Sequence, residues 1–166
     1  DQLHQELQRT IDSASKDLAL EAGRLRAHVG PLANHFDVRR AVLFATQAAA
    51  PDPAVIGQVT ARLHPSSGFD ALEIFNREGR MLGQAPRSPN QATRDIPSTL
   101  LTLLLTGGQT VEEYAARGSG ADLLACYSVY APITHLDEII GVFAGSRRLD
   151  AASLASIKQR LNHEVS

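Results

Sequence analysis

Two apolar stretches separated by a short polar break lie near the end of the chain, within residues 127–150. The first arm alternates, with Tyr127 and Val129 on a largely apolar face and Ser128 and Tyr130 on a mixed one. The second arm is apolar on both faces, so it needs cover above and below. The pattern therefore predicts an antiparallel hairpin whose second strand is central in a covered sheet.

Three more strands are predicted upstream of this hairpin. Residues 69–76 place Leu72 and Ile74 on one face and Glu73 and Phe75 on the other, since side chains alternate along a strand. Further strand patterns follow at residues 80–84 and 109–116, and the first strand of the hairpin begins near residue 121. Turns containing Gly79, Gly118 and Gly120 join these segments, because glycine accepts the positive φ of a tight turn.

The remaining apolar positions recur every three or four residues, which predicts helices. The longest stripe predicts a nearly straight helix over residues 3–29, ended at Gly30-Pro31 because proline cannot continue the backbone ladder. This stripe consists of Leu3, Leu7, Ile11, Ala14, Leu18, Ala22, Leu25 and Val29. Other helices are predicted over residues 32–47, 54–63 and 96–106, and after a cap at Asp150. Residues 65–68 are predicted to form a loop, and the helix at 96–106 is expected to be substantially buried.

Helices at both ends and a five-stranded antiparallel sheet between them make an α+β fold. The length of 166 residues is that of one domain with a sizeable core. We therefore expect a single domain over residues 1–166, with a helical segment at 1–64, a sheet core at 69–149 and a terminal helix at 150–166.

Two sequence segments resemble the paired strand motifs of Cache domains, the PAS-like extracytoplasmic sensor modules of bacterial membrane-bound signal transducers. They are FDALEIFNREGRMLG at residues 69–83 and APITHLDEIIGVFAG at residues 131–145. The resemblance covers residues 68–150 and implies a PAS-like (Cache) five-stranded sheet with a long N-terminal helix and further helices packed on it. The family usually has glycine in the last turn, whereas residues 135–138 contain none.

This resemblance implies a function that the residues alone do not. We expect the periplasmic, extracytoplasmic ligand-sensing domain of an inner-membrane protein, a histidine kinase of a two-component system in the first instance. Transmembrane helices would flank it, residues 150–166 would form a signalling helix, and the long N-terminal helix would pair in a homodimer. The domain itself would not be an enzyme.

Composition and motifs exclude several kinds of partner and binding site. The 16 basic and 18 acidic residues leave a net charge of -2, so no electrostatic footprint for nucleic acid is present. The single cysteine, Cys126, excludes an internal disulfide and a multi-cysteine metal site, and a small buried hydrophobe is the expected role. No apolar run reaches the roughly 18 residues that a membrane span needs. The six histidines lack metal-binding spacing, so we expect neither a metal nor a cofactor.

Four residues are candidates for binding a small molecule, with organic acids the first class to test. Ser128 and Tyr130 belong to the mixed face, and Tyr114 on the neighbouring strand is expected to join them. Arg94 precedes a helix and is a candidate anion clamp, because a guanidinium fork matches a carboxylate. The alternatives are tyrosines that only pack in the core and a solvated Arg94. Glu112-Glu113 cannot share a proton, since strand neighbours point to opposite faces.

Two rival functions remain open at this point. The long N-terminal stripe equally suits a dimerisation or partner-protein interaction module without a small-molecule pocket. A cytoplasmic PAS-type cofactor binder is the third hypothesis. The amine-binding pattern of some Cache domains is absent, since the chain has no tryptophan.

Overall fold

The computed structural model describes residues 2–47, 49, 52, 54–86, 93–117 and 124–149. In chain order the elements are α1 (Gln2–Ala33), α2 (Phe36–Gln47), α3 (Ala54–Ser67), β1 (Ala71–Asn76), β2 (Met81–Ala85), α4 (Ser98–Gly107), β3 (Val111–Arg117), β4 (Leu124–His135) and β5 (Glu138–Leu149). The helix predicted after Asp150 lies outside the described residues, as do the side chains of the first five residues of the predicted stripe in α1, from Leu3 to Leu18.

The five strands form one antiparallel sheet in the order β2-β1-β5-β4-β3, which confirms the predicted α+β architecture. The central strand is β5, hydrogen-bonded to β1 on one side and to β4 on the other. Its position explains its apolar sequence: Phe143 is buried on one face of the sheet, and Val142 and Ala144 are buried on the other.

A two-residue turn joins β4 and β5, since His135 pairs directly with Glu138. Leu136 and Asp137 both have positive φ, at 50° and 63°. This is the backbone of a type I′ hairpin turn, whose twist suits the flanking strands but which favours asparagine and glycine. The chain therefore makes the turn without glycine, at the cost of holding a leucine in the left-handed region.

The two faces of the sheet are covered differently. We call the face beneath α1, α2 and α3 the helix-side face; it carries the buried residues Leu72, Ile74, Tyr127, Val129, Ala131, Ile133 and Phe143. We call the other the α4 face; there Phe75, Tyr130, Val142 and Ala144 pack with Ile96 and Leu104. The predicted division of β1, with Leu72 and Ile74 opposite to Phe75, is confirmed.

The predicted helix end at Gly30-Pro31 is wrong, because α1 continues through Pro31 to Ala33. Val29 and Ala33 are four residues apart and fully buried, so packing against the core outweighs the lost backbone hydrogen bond. Asn34 then ends the helix, with its backbone N–H and its side-chain amide both donating to the carbonyl of Gly30.

Two further predictions about helices need correction. Residues 65–67, predicted as loop, form the last turn of α3, and the chain leaves the helix at Gly68 with φ of 80°. The helix α4 is less buried than predicted, since Leu104 is fully buried but Leu103 is 56% exposed. The apolar residues of α4 that pack on the sheet therefore lie on one side of the helix only.

Candidate functional site

The centre of the α4 face holds a buried polar cluster around Arg94. The guanidinium donates from Nε to Glu73 Oε2 at 2.9 Å and from Nη2 to Glu73 Oε1 at 2.7 Å. Its Nη1 donates to the hydroxyl of Tyr130 at 2.8 Å, and that hydroxyl donates to Glu113 Oε1 at 2.9 Å. The four side chains come from β1, β3, β4 and the segment before α4, so the cluster ties that segment to the sheet.

Neighbouring strands explain why these side chains meet. Glu73 of β1 and Tyr130 of β4 both pair with Ala144 of the central strand, so they flank it in one row across the sheet. Residues directly opposite each other in an antiparallel pair share a face. The small side chain of Ala144 leaves the room above it that the guanidinium of Arg94 needs to bridge Glu73 and Tyr130.

The chain on either side of Arg94 is held in place by backbone contacts. Asp95 forms an isolated bridge with Arg80, and the N–H of Ile96 donates to the carbonyl of Gly79 at 2.8 Å. Ile96 itself is buried beside Leu104 of α4. Arg94 is therefore positioned by the β1–β2 hairpin and by α4 together, and it does not extend into solvent.

Burial and aromatic contacts make Arg94 unlike a surface arginine. Its side chain is 16% exposed, and that of Glu73 is 10% exposed. The guanidinium carbon lies 5.1 Å from the ring centre of Phe75 and 5.5 Å from that of Tyr130, within the range of cation–π attraction. The contacts among the described residues leave one N–H on each terminal nitrogen, Nη1 and Nη2, for a further acceptor.

The electrostatics keep both Arg94 and Tyr130 protonated. Burial lowers the pKa of Arg94, but the hydrogen bonds and negative charge of Glu73, with a smaller contribution from Tyr130, raise it above the ordinary value. Burial raises the pKa of the Tyr130 hydroxyl; Arg94 opposes this rise and Glu113 adds to it. The hydroxyl can therefore accept from Arg94 while it donates to Glu113.

Ser128 lies in the next row of the α4 face, where it is fully buried. Its hydroxyl is hydrogen-bonded to that of Ser146 at 2.8 Å, and the two residues are register partners on β4 and β5. Glu113 is the partner of Ser128 on β3, so its carboxylate belongs to the same row. The small hydroxyl side chains at this position make the α4 face polar next to the Arg94 cluster.

The structure brings together three of the four predicted ligand residues and separates the fourth. Arg94 contacts Tyr130 directly, and Ser128 lies one row away. The expected position of Tyr114 beside them is wrong: it pairs with Tyr127 on the helix-side face, where the ring centres are 5.0 Å apart, and it is 57% exposed. Glu113 lies on the α4 face, so Tyr114, the next residue along β3, points to the opposite face.

Two carboxylates of the cluster were missed from the sequence. Glu113 was identified only as half of an acidic pair, and the prediction that Glu112 and Glu113 face opposite sides holds, because Glu112 accepts from Tyr127 on the helix-side face. Glu73 was placed on the correct face of β1 but without a partner. An acidic residue alternating with buried apolar ones is the signal that could have assigned it to a buried cation.

Within the described ranges, no three His, Cys, Asp or Glu side chains are grouped so that they could hold a metal ion. No helix in the described part of the chain has both the length and the apolar character that crossing a bilayer requires. The side chain of Cys126 is buried, as predicted.

Known proteins resemble this chain in fold and not in sequence. No protein-family model and no curated protein sequence matches it. Among solved structures, it is similar to the sensor domain of the histidine kinase DctB from Vibrio cholerae, with a TM-score of 0.65 and 16% identity over 93% of this chain and 58% of that one. The E. coli DcuS sensor domain gives a TM-score of 0.57 and 17% identity over 90% of this chain and 98% of that one.

A chemoreceptor domain is similar as well. The ligand-binding domain of the Pseudomonas aeruginosa amino acid chemoreceptor PctC, in complex with GABA, gives a TM-score of 0.51 and 15% identity over 95% of this chain and 64% of that one. The chain thus spans less than two thirds of the DctB and PctC chains. These likenesses confirm the predicted fold, that of the PAS-like, Cache-like sensor domains.

Proposed function

We propose that this chain is the extracytoplasmic ligand-sensing domain of a membrane-bound bacterial signal transducer, a histidine kinase in the first instance. The observation that carries the proposal is the position of Arg94, buried against the sheet between Glu73 and Tyr130. The fold shared with sensor domains of histidine kinases and with a ligand-binding chemoreceptor domain supports it. Its role in the transducer is to bind and not to catalyse.

The ligand class that fits the Arg94 cluster is a small carboxylate. Glu73 occupies Nε and Nη2 on one edge of the guanidinium, which orients the end formed by Nη1 and Nη2. A carboxylate can accept two parallel hydrogen bonds from that end, as guanidinium forks commonly donate them. The hydroxyls of Ser128 and Tyr130, which are hydrogen-bonded to Ser146 and Glu113, make the surroundings polar, while Tyr114 is left out because it lies on the other face. Glu73 thus serves as a positioning residue.

We propose that β3 relays binding from this site to α1. Glu113 accepts from Tyr130 on the α4 face, and the adjacent Glu112 accepts from Tyr127 at 2.8 Å and pairs with Arg26 of α1 on the opposite face. A ligand that shifts the Tyr130–Glu113 contact would therefore move β3. Glu112, the neighbouring residue of β3, is paired with α1 and would move with it. Such a shift changes signalling only if the ligand binds the shifted arrangement of β3 and α1 more tightly than the unshifted one.

A carboxylate screen tests the site. We expect one of succinate, malate, citrate, pyruvate or propionate to raise the melting temperature of the domain, with saturable binding in calorimetry. Arg94→Gln should weaken that binding by about tenfold or more, since a hydrogen bond to a charged group contributes about 1.5–3 kcal/mol. Arg148→Gln removes an equal charge from an exposed position and is the matched control. Unchanged binding in Arg94→Gln, or no stabilisation by any carboxylate, would contradict the proposal.

The relay needs the intact receptor and a separate readout. In the full-length protein, Arg26→Gln should leave carboxylate affinity within about twofold while it reduces ligand-dependent output, because Arg26 contacts Glu112 and not the site. Arg24→Gln, an exposed neighbour on α1, is the control. Full output from Arg26→Gln would rule out the relay without affecting the binding proposal.

A further inference from the structure

The helix α2 carries two distinct faces, one packed and one unpartnered. Val38, Ala41 and Val42 are buried against the core. On the outer side, Phe36 is 69% exposed and Phe44 is 48% exposed. Large aromatic side chains at two exposed positions of one short helix are more than core packing requires, and exposed apolar patches often mark binding surfaces.

The outer face forms one wall of an open cleft of about 550 Å³, which we call the α2 cleft. Its residues recur at helical spacing along α2, at Phe36, Arg39, Arg40, Leu43 and Phe44, and His135 at the end of β4 also lines it. This volume lies within the range of small-molecule sites, which are mostly apolar with a few polar groups. Phe36 and Phe44 are eight residues apart, so the cleft extends about 12 Å along the helix.

The charges that line the α2 cleft are positive. Arg39 and Arg40 lie midway between the two phenylalanines, and no carboxylate lines the cleft among the residues that the structure describes. The nearest acid on α2, Asp37, pairs instead with Arg62 of α3 at 3.0 Å. An anion is therefore the ligand charge that this wall favours.

Arg39 also has an unused donor. Its Nη2 donates to Asn34 Oδ1 at 3.4 Å, and that oxygen accepts from Thr134 Oγ1 as well, which fixes the guanidinium beside the end of β4. Its Nε is buried and has no hydrogen-bond partner in the described part of the chain. A buried N–H without an acceptor is unfavourable, and a carboxylate that draws the guanidinium toward the cleft would supply one.

We propose that the α2 cleft is a second binding site, for an elongated amphipathic carboxylate such as a medium-chain or arylalkyl acid. The carboxylate accepts from Arg39 and Arg40, and the apolar chain lies along Leu43 and the phenylalanine rings. This site is separate from the Arg94 cluster, which lies on the opposite face of the sheet, and it does not depend on the function proposed above.

The probe is 4-phenylbutyrate, whose length suits the α2 cleft, and its neutral amide is the matched ligand. Calorimetry on the domain should give saturable binding of the acid, with the amide and the Arg39→Gln/Arg40→Gln variant each weaker by about tenfold or more, as expected for loss of a charge-assisted hydrogen bond. Arg24→Gln and Arg94→Gln should bind the acid within about twofold of the parent chain. The first controls for net charge and the second for the other site.

Four results would overturn the proposal. They are equal binding of the amide, undiminished binding by Arg39→Gln/Arg40→Gln, loss of binding in Arg94→Gln, and absence of saturable binding of the acid. A dimer that Phe44→Glu dissociates in light scattering, with no acid bound by the monomer, would show instead that the face is an interface between copies of the chain. Arg40→Gln alone, at an exposed position, keeps the test valid if the double variant is unstable.

Discussion

The two faces of the sheet are built from the same strands but differ in their side chains and in the elements that cover them. The helix-side face is covered by three helices and is almost wholly apolar at its centre, with Leu72, Ile74 and Phe143 fully buried. The α4 face is covered by one short helix and by the segment that contains Arg94, and its centre holds an ion pair and a buried tyrosine. Adjacent residues of one strand therefore face an apolar core and a polar site.

This difference separates stability from binding. Apolar burial is the main favourable contribution to folding, whereas a buried ion pair contributes little net stability and is costly to break. We therefore expect the helix-side face to determine whether the domain folds and the α4 face to determine what it binds.

Truncation in the helix-side core should have the largest effect. Phe143→Ala removes a fully buried ring from the central strand and should lower the free energy of unfolding by about 3–5 kcal/mol, as such truncations do. Urea denaturation measures this change. Leu103→Ala on α4 removes a side chain that is 56% exposed and should change stability by less than about 0.5 kcal/mol. Similar losses in both variants would contradict the division of roles.

Breaking the ion pair of the α4 face should cost more stability than replacing both of its partners with apolar residues. Glu73→Leu leaves the guanidinium of Arg94 buried without its carboxylate and should destabilise the domain by about 3 kcal/mol. Adding Arg94→Met should restore most of that loss, because the buried charge is then gone. A double variant as unstable as the sum of the two single variants would show that the two side chains are not energetically coupled, and it would contradict this expectation.

Alkaline pH should affect the helix-side face through Tyr127. Burial raises its pKa to about 12, with the charge of Tyr114 adding to the rise and Arg26 opposing it. The hydroxyl therefore ionises more easily in the unfolded chain, near pH 10, than in the fold. Since the unfolded state then binds fewer protons, stability should fall as the pH rises from about 10 to 12. Urea midpoints of Tyr127→Phe should fall less steeply over this range, and parallel curves would contradict the assignment.

The smallest effect should come from the turn that joins β4 and β5. Leu136 is 84% exposed and has φ of 50°, so it loses backbone strain but little packing when replaced. Leu136→Asn with Asp137→Gly supplies the preferred residues of a type I′ turn and should raise stability by about 1 kcal/mol. An unchanged or lower melting temperature would show that the turn is not strained.

The periodicity of the sequence was sufficient to predict the sheet. Alternation in β1 and β4, and the apolar run of β5, depend only on which face is covered, so the central position of β5 followed directly. Helix ends were harder, because Pro31 lies within α1 owing to the burial of Val29 and Ala33, which is a tertiary effect. Pro65 likewise lies within α3, in its last turn.

The candidate site was predictable only in part. Arg94 and Tyr130 were chosen for their chemistry, and the structure brings them into contact. Glu73 is separated from Arg94 by 21 residues and from Tyr130 by the width of a strand, so no local pattern joins them. Tyr114 was misplaced because the register of β3 was not known, and a shift of one residue exchanges the two faces.

NMR can show directly whether the α4 face binds a small carboxylate through Arg94. The domain would be titrated with the carboxylate of the screen that stabilises it most, while the arginine Nε–H and backbone amide signals are followed. We expect the largest shifts at Arg94, at Tyr130 and in α4, and their loss in Arg94→Gln. Shifts confined to α2, or shifts that persist unchanged in Arg94→Gln, would contradict it.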